Sequence, residues 1–218
     1  VNTKTITIQR YVSKTTTSAG VETIKAAFTD GPLFDVSTDF KIELAGTKPC
    51  LAINGNEVKS SAGAFKVSNG AKLTLNNSET TSITSEGNNG GIFTINENYC
   101  SLSIDSSDSN VLYGGGAIYA LGGQVDAKNI RFEGNRSTNT GEAFGGAIYA
   151  TNNGAVKSDI SLENCSFTNN TARNLKLKEV MSSTYAWTGV APAYGGAVCV
   201  KGSTVNMTQC TFTGNAVD

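Results

Sequence analysis

The sequence predicts an all-β protein of stacked repeats, a β-solenoid, and three observations predict it. Two short motifs recur three times in the second half of the 218-residue chain. Around them, apolar and polar residues alternate as in strands with one buried face. Glycine is frequent, with 24 residues against three prolines, which is typical of a chain with many tight turns. We therefore expect each copy to form a rung of short strands, stacked about 4.8 Å from the next.

The first motif is a glycine pair followed by alanine and a β-branched residue. Its copies are Gly115-Gly116-Ala117-Ile118, Gly145-Gly146-Ala147-Ile148 and Gly195-Gly196-Ala197-Val198. Glycine pairs are typical of tight bends where two backbones approach closely. We expect these glycines to form the bends of the solenoid.

The second motif is a phenylalanine followed three residues later by an asparagine. Its copies are Phe132 with Asn135, Phe167 with Asn170, and Phe212 with Asn215. Before each phenylalanine, apolar residues alternate, skip two positions and alternate again, as at Val125, Ala127 and Ile130. The skip predicts a corner that keeps the apolar side inward. We expect an inner ladder of phenylalanines and a corner ladder of asparagines, because asparagine tolerates turn conformations.

The chain is divided by these motifs into two parts. Residues 1–113 lack them but keep short alternating runs, which predicts an N-terminal cap followed by irregular rungs. Residues 114–218 carry the motif-bearing rungs. At roughly 20–25 residues per rung, the whole chain is expected to form about nine or ten rungs.

One connection between copies is much longer than the other. The chain from Phe167 to Gly195 is more than twice as long as the chain from Phe132 to Gly145. The extra length predicts an inserted loop at about 171–194. Insertions in repeat proteins leave the stack as loops, often on the binding face. The alternative is a loop that folds its aromatic residues back onto the solenoid.

Four aromatic residues are candidate contact residues. If Ile118 and Ile148 face inward, strand alternation turns the tyrosines that follow them outward. Exposed tyrosines make good contacts because they combine a large ring with a polar tip. They are also ordinary strand formers on a solvated sheet. The candidates are Tyr119, Tyr149, Tyr185 and Trp187, the last two within the expected loop.

The cysteines show no metal-binding or redox motif. There are five, an odd number, and no two are spaced as Cys-x-x-Cys. They are Cys50, Cys100, Cys165, Cys199 and Cys210. We interpret them as structural thiols, with one disulfide plus spare thiols as the alternative. Cys165 and Cys210 are expected to share one inward ladder with Ile130.

The composition argues against several functions. There is no histidine, which removes Ser-His-Asp and Cys-His catalysis and most zinc sites. With 17 basic and 18 acidic residues, the net charge of −1 does not suit a nucleic-acid binder. No apolar run approaches the roughly 20 residues that span a bilayer. We expect no catalytic residue, no metal and no cofactor.

A carbohydrate-active enzyme is the main alternative, because stacked β-folds also carry lyases and hydrolases. Such sites need clustered carboxylates, often with Arg or Ca²⁺. The best candidates are Asp30, Asp35, Asp39, Asp105 and Asp108. Solvated charges in turns explain these aspartates better than a catalytic site does, so we expect that the protein is not an enzyme.

The paired motifs resemble the repeats of the chlamydial polymorphic outer-membrane proteins. The resemblance covers residues 114–218, with Val198 replacing isoleucine in the third copy. It implies a right-handed parallel β-helix, the passenger domain of an autotransporter on the bacterial outer membrane or secreted from it. It also implies an adhesin that contributes to virulence, and it associates the two motifs themselves with adhesion.

The same resemblance sets the expected partner. This is a host cell-surface receptor or glycan, with no membrane insertion by this fragment. The resemblance also implies that the native chain continues into more repeats and a β-barrel. The alternative interpretation of the chain is a polysaccharide-binding or polysaccharide-degrading β-helix protein.

Overall fold

The computed structural model describes twelve stretches of the chain, which consist of strands, turns and bends. They are residues 5–9, 12–16, 22–26, 32–44, 50–54, 59–60, 63–77, 92–96, 99–102, 114–139, 142–174 and 193–218. The structure of these residues is all-β, without a helix, as the sequence predicts. Accordingly, none of them belongs to a helix long and apolar enough to cross a membrane.

The strands are short and occur along the whole chain. The first eleven are β1 (Thr5–Gln9), β2 (Val12–Thr16), β3 (Glu22–Ala26), β4 (Phe34–Val36), β5 (Phe40–Leu44), β6 (Cys50–Asn54), β7 (Lys59–Ser60), β8 (Phe65–Ser68), β9 (Lys72–Asn77), β10 (Ile92–Asn96) and β11 (Tyr99–Leu102). The next seven are β12 (Ile118–Leu121), β13 (Gln124–Lys128), β14 (Arg131–Glu133), β15 (Arg136–Asn139), β16 (Ala143–Phe144), β17 (Ile148–Thr151) and β18 (Asp159–Glu163). The last seven are β19 (Ser166–Thr168), β20 (Thr171–Asn174), β21 (Ala193–Tyr194), β22 (Val198–Lys201), β23 (Thr204–Thr208), β24 (Thr211–Thr213) and β25 (Ala216–Val217).

Four parallel sheets contain most of these strands. In spatial order, sheet I is β4-β8-β12-β17-β22, sheet II is β5-β9-β13-β18-β23, sheet III is β1-β6-β10-β14-β19-β24 and sheet IV is β7-β11-β15-β20-β25. Two smaller pairs accompany them: β16 with β21, which are parallel, and β2 with β3, which are antiparallel. Between β4 and β25 the chain visits sheets I, II, III and IV in that order five times within the described residues. We call each circuit a repeat unit.

Equivalent residues of successive repeat units lie side by side, although the units differ in length. Ile118 pairs with Ile148, and Ile148 pairs with Val198. The residues of each pair are separated along the chain by more than the roughly 20–25 residues expected per rung, so the expected rung length is wrong. The reason is that each repeat unit contains four strands and their corners.

The inward residues form one apolar core along the stack. It includes Ile118 of sheet I, Val125 of sheet II and Phe132 of sheet III, all fully buried. The same core receives Phe65 and Leu73 from the first part of the chain. The sheets thus run through both parts of the chain, and the boundary at residue 113 stays a prediction.

Candidate interaction surface

The glycine pairs lie at bends where backbones touch. Gly115 and Gly145 have φ angles of 73° and 56°, in the left-handed region that favours glycine. A Cβ atom at Gly145 would also collide with the carbonyl oxygen of Ile148. A Cβ atom at Gly146 would have no room either, because the Gly146 backbone packs against the carbonyl oxygen of Gly196 in the next repeat unit. The expectation of tight bends is confirmed for these pairs.

The phenylalanines form the predicted ladder. The ring centroids of Phe132 and Phe167 are 4.8 Å apart, and those of Phe167 and Phe212 are also 4.8 Å apart. Phe132 and Phe167 are fully buried, whereas Phe212, in the last repeat unit, is 49% exposed. Ala117, Ala147 and Ala197 are buried in the same core, so these motif residues hold the stack together.

The asparagines also form a ladder, and it is made of hydrogen bonds. Asn170 donates from Nδ2 to the carbonyl oxygen of Phe132 at 3.0 Å and to Oδ1 of Asn215 at 2.9 Å. Asn135 makes the equivalent contacts to the Ile95 carbonyl and to Asn170. These side chains therefore satisfy the backbone groups of the corner between sheets III and IV.

The expected reason for the asparagine ladder, tolerance of turn conformations, is wrong. The left-handed φ angles belong to the preceding residues: Gly134 at 62°, Asn169 at 55° and Gly214 at 64°. The corner selects Asn135 and its equivalents for hydrogen bonding, since their amides can donate and accept at once. Asparagine's tolerance of turns explains position 169 instead.

Tyr119 and Tyr149 do not face solvent. They point away from the main core, as alternation predicts, but are only 2% and 1% exposed. The prediction that they form an exposed contact surface is therefore wrong. The reason is a second layer: Phe144 of β16 stacks on Tyr149 with ring centroids 4.7 Å apart. This burial raises the pKa of Tyr149.

Within the described residues, the last ring of the second layer is partly exposed. Tyr194 of β21 stacks on Phe144 at 5.4 Å and is 42% exposed. Lys201 places its Nζ 5.5 Å from the centroid of the Phe144 ring, a cation–π contact. A half-exposed aromatic ring and an exposed cation that contact the same phenylalanine suit a ligand with a flat apolar face and a negative charge. Sequence reasoning missed Tyr194 and Lys201.

The outward face of sheet II is polar and internally paired. Lys72 and Asp126 form an ion pair across neighbouring strands, which raises the pKa of Lys72. Lys128 Nζ lies 2.7 Å from Glu163 Oε1 in the same way. All four side chains are well exposed, so water screens these pairs and each stabilises the fold by at most about 1 kcal/mol. Because the charges neutralise one another, this face offers no strong attraction to a charged partner.

Both ends of the predicted insertion form strands of the stack. Residues 171–174 form β20 and pair with β15, and Ala193–Tyr194 form β21 and pair with β16. The insertion is therefore confined to residues 175–192, where the preceding repeat unit has only residues 140–142. Tyr185 and Trp187 lie outside the described residues. The insertion begins and ends at strands held in register, and Tyr194 lies at its exit.

Among the residues that the structure describes, the candidate carboxylates form no cluster. Asp30, Asp105 and Asp108 lie outside the described residues. Asp35 and Asp39 are exposed, and Asp39 Oδ1 accepts a hydrogen bond from the Lys72 amide at 2.9 Å. Across the stretches that the structure covers, no three cysteine or acidic side chains are placed to hold a metal ion.

The cysteines that can be placed are free thiols. Cys165 is buried in line with Ile130, and Cys210 packs partly against the same core, which confirms the predicted inward ladder. Cys199 lies half-buried in the second layer, where burial raises its pKa. The side chains of Cys50 and Cys100 lie outside the described residues.

Comparison with known proteins connects these repeats to one family. Residues 129–151 and 164–201 match the Chlamydia polymorphic membrane protein repeat. The two matched segments contain the second glycine motif with the first Phe-x-x-Asn corner, and the third glycine motif with the second corner. No curated protein and no solved structure matches the chain. The family resemblance noted in the sequence is confirmed over these residues.

Proposed function

Because the chain carries Chlamydia polymorphic membrane protein repeats, we propose that it belongs to a bacterial surface adhesin. In this proposal it is part of an autotransporter passenger, on the outer membrane or secreted, and binds a host cell-surface receptor or glycan. The motif residues act as scaffold in it, since their side chains point into the stack. The outer surface and the insertion supply the contacts.

We infer that the scaffold is a right-handed parallel β-helix. The inference is supported by the five circuits through sheets I to IV and by the parallel, in-register pairing of neighbouring strands in those sheets. Such a stack is stiff because phenylalanine and asparagine ladders bridge its last three repeat units. Stiffness suits an adhesin, because a preorganised surface loses little conformational entropy on binding.

One observation carries the choice of contact site. The insertion at residues 175–192 lies between β20 and β21, and both strands are registered against the preceding repeat unit. A connection with two fixed ends on a rigid scaffold is a common location for binding residues. Tyr194 lies beside its exit, and Lys201 contacts the Phe144 ring on which Tyr194 stacks. Candidate contacts are therefore Tyr185, Trp187, Tyr194 and Lys201.

The test is adhesion of beads coated with the whole chain to cultured epithelial cells. The key variant replaces residues 175–192 with Thr-Gly-Glu, the connection that the preceding repeat unit uses between Asn139 and Ala143. A double variant on sheet II, Lys128→Ala with Glu163→Ala, is the matched control. We expect the control to bind like the original chain and the replacement to lose most binding, with circular dichroism of all three unchanged.

Two results would count against the proposal. If the folded original chain binds cells no better than bare beads, the adhesin assignment fails. If the replacement variant binds as well as the original, the insertion is not the site and the contacts lie elsewhere on the outer faces.

A glycan is the receptor class that Tyr194 favours. Its ring is half exposed and stacked on Phe144, and Lys201 contacts the same Phe144 ring. Sugar rings pack their apolar faces on such aromatic rings, and a carboxylate or sulfate on the sugar would meet the lysine. A glycan array compared between the original chain and Tyr194→Ala tests this, and equal signals would exclude it.

A further inference from the structure

Cys165 and Cys210 occupy the same position in neighbouring repeat units. Each directly precedes a strand of sheet III, and the first residues of those strands, Ser166 and Thr211, are registered partners. The Thr211 amide donates to the Cys165 carbonyl oxygen at 2.9 Å, which fixes the two backbones side by side. Neighbouring strands lie about 4.8 Å apart, within the range of Cα separations that disulfides span.

The two side chains also point the same way. Cys165 Sγ lies 3.4 Å from the carbonyl oxygen of Ala127, and Cys210 Sγ lies 3.6 Å from that of Leu162. Ala127 and Leu162 are themselves registered partners on sheet II. The thiols are therefore equivalent members of one ladder, stacked directly one above the other.

The members of this pair differ in access and acidity. Cys165 is 1% exposed, whereas Cys210 is only partly buried. A hydrogen bond from the Cys165 thiol lowers the pKa of Cys210 to about 6, and the same contact together with burial raises the pKa of Cys165. Cys210 is thus suited to attack a dissolved disulfide as a thiolate. The buried Cys165 is placed to attack the resulting mixed disulfide from inside the core.

We propose that Cys165 and Cys210 form a redox-active dithiol that closes to a disulfide when it meets a low-molecular-mass disulfide such as oxidised glutathione. The Cys210 thiolate attacks one glutathione sulfur, forms a mixed disulfide and releases one glutathione thiolate. Cys165 then gives its proton to solvent and attacks the Cys210 sulfur, which releases the second glutathione thiolate. Two cysteine thiols are oxidised by two electrons, and one glutathione disulfide is reduced.

Closure would lock the repeat units on either side of the insertion. The chain between the two cysteines contains the whole of residues 175–192 and the strands β21 and β22. A cross-link over such a span restricts the unfolded chain and raises thermal stability. The proposal is independent of adhesion, because it concerns the inside of the stack.

The experiment incubates the native, reduced chain with oxidised glutathione at pH 7.5, then blocks free thiols and digests with trypsin. The expected product joins peptide 158–173 to peptide 202–218, which contain Cys165 and Cys210 as their only cysteines. It should be two hydrogens lighter than the separate peptides. The midpoint of thermal unfolding should rise on the order of 5–10 °C.

Three variants and a denatured sample complete the design. Cys199→Ser should form the same cross-link, and Cys165→Ser should stop at glutathione on Cys210. Cys210→Ser should react far more slowly, since the remaining thiol is buried. In guanidinium chloride the five cysteines should pair without preference. The proposal is overturned if native and denatured samples give the same pairings, or if glutathione stays on Cys210 in the original chain.

Discussion

Asn135 and Asn170 are joined by two hydrogen bonds that cross from one repeat unit to the next. The backbone amide and Nδ2 of Asn135 donate to the same oxygen, Oδ1 of Asn170, at 3.0 and 2.9 Å. Asn170 repeats the pattern toward Asn215. The corner between sheets III and IV is therefore closed by side chains, and the asparagine of each motif copy supports the backbone of its neighbour.

Replacing Asn170 by leucine should be strongly destabilising. The substitution removes donors and acceptors for buried groups, including the Phe132 carbonyl oxygen and the Asn135 amide. We expect a loss of about 2–4 kcal/mol in the free energy of unfolding. Asn206→Leu, at an exposed position on β23, should change it by less than about 0.5 kcal/mol. Urea unfolding of both variants checks this, and equal losses would contradict the ladder.

The phenylalanine ladder predicts unequal effects for two identical substitutions. Phe167→Ala removes a ring that is stacked on both sides, so it should cost about 3–5 kcal/mol of unfolding free energy. Phe212→Ala removes a half-exposed ring that is stacked on Phe167, and its cost should be roughly half as large. Denaturant unfolding of the two variants measures the difference. A larger loss for Phe212→Ala would show that the interior position of Phe167 has been misassigned.

Two glycines with similar backbone angles should respond differently to alanine. Gly145 and Gly154 have φ of 56° and 58°, but only at Gly145 would the new Cβ collide with another group. Gly154→Ala should therefore cost about 1 kcal/mol, the ordinary strain of a left-handed alanine. Gly145→Ala should cost about 3 kcal/mol or more, because the backbone of the bend must move. Thermal unfolding compares them, and similar midpoints would contradict the close packing of the bend.

Burial of Tyr149 predicts a loss of stability in alkali. Its pKa is raised in the folded state by burial, so folding favours the neutral phenol. The stabilisation is complete below the unfolded pKa, about 10. It is lost as the pH rises toward the folded pKa. Tyr149→Phe should therefore lose less stability than the original chain between pH 9 and pH 11. Tyr194→Phe, at the exposed ring, is the control, and identical pH profiles for all three chains would contradict the buried position.

The ladders could be predicted from the sequence because they follow local rules. Residues Val125 to Phe132 alternate in polarity, and the same alternation recurs with each copy, so the inward side of sheets II and III is fixed. The glycine bends are equally predictable, since a residue with a Cβ rarely adopts those angles without strain. The repeat length could not be predicted in this way, because the four-strand circuit includes strands such as β15 and β20, which carry few apolar residues.

The predicted exposure of the two tyrosines was wrong for a different reason. Alternation identifies the side of a strand on which Tyr119 and Tyr149 lie, but it does not say whether another layer covers that side. Here a very short strand, β16, places Phe144 over Tyr149. A signal was present, because an aromatic residue directly precedes two of the glycine pairs, as Phe144 and Tyr194. Treating those positions as part of the repeat would have predicted the second layer.

In the proposed adhesin, motif residues hold the stack together and the outer surface binds cells. The most direct test counts coated beads per epithelial cell for Phe167→Leu and for Tyr194→Ala, each checked for folding at the assay temperature. We predict that Phe167→Leu binds like the original chain although it is less stable, and that Tyr194→Ala binds clearly less although it remains folded. The reverse ranking, with a folded Phe167→Leu chain losing adhesion and Tyr194→Ala retaining it, would contradict this division of roles.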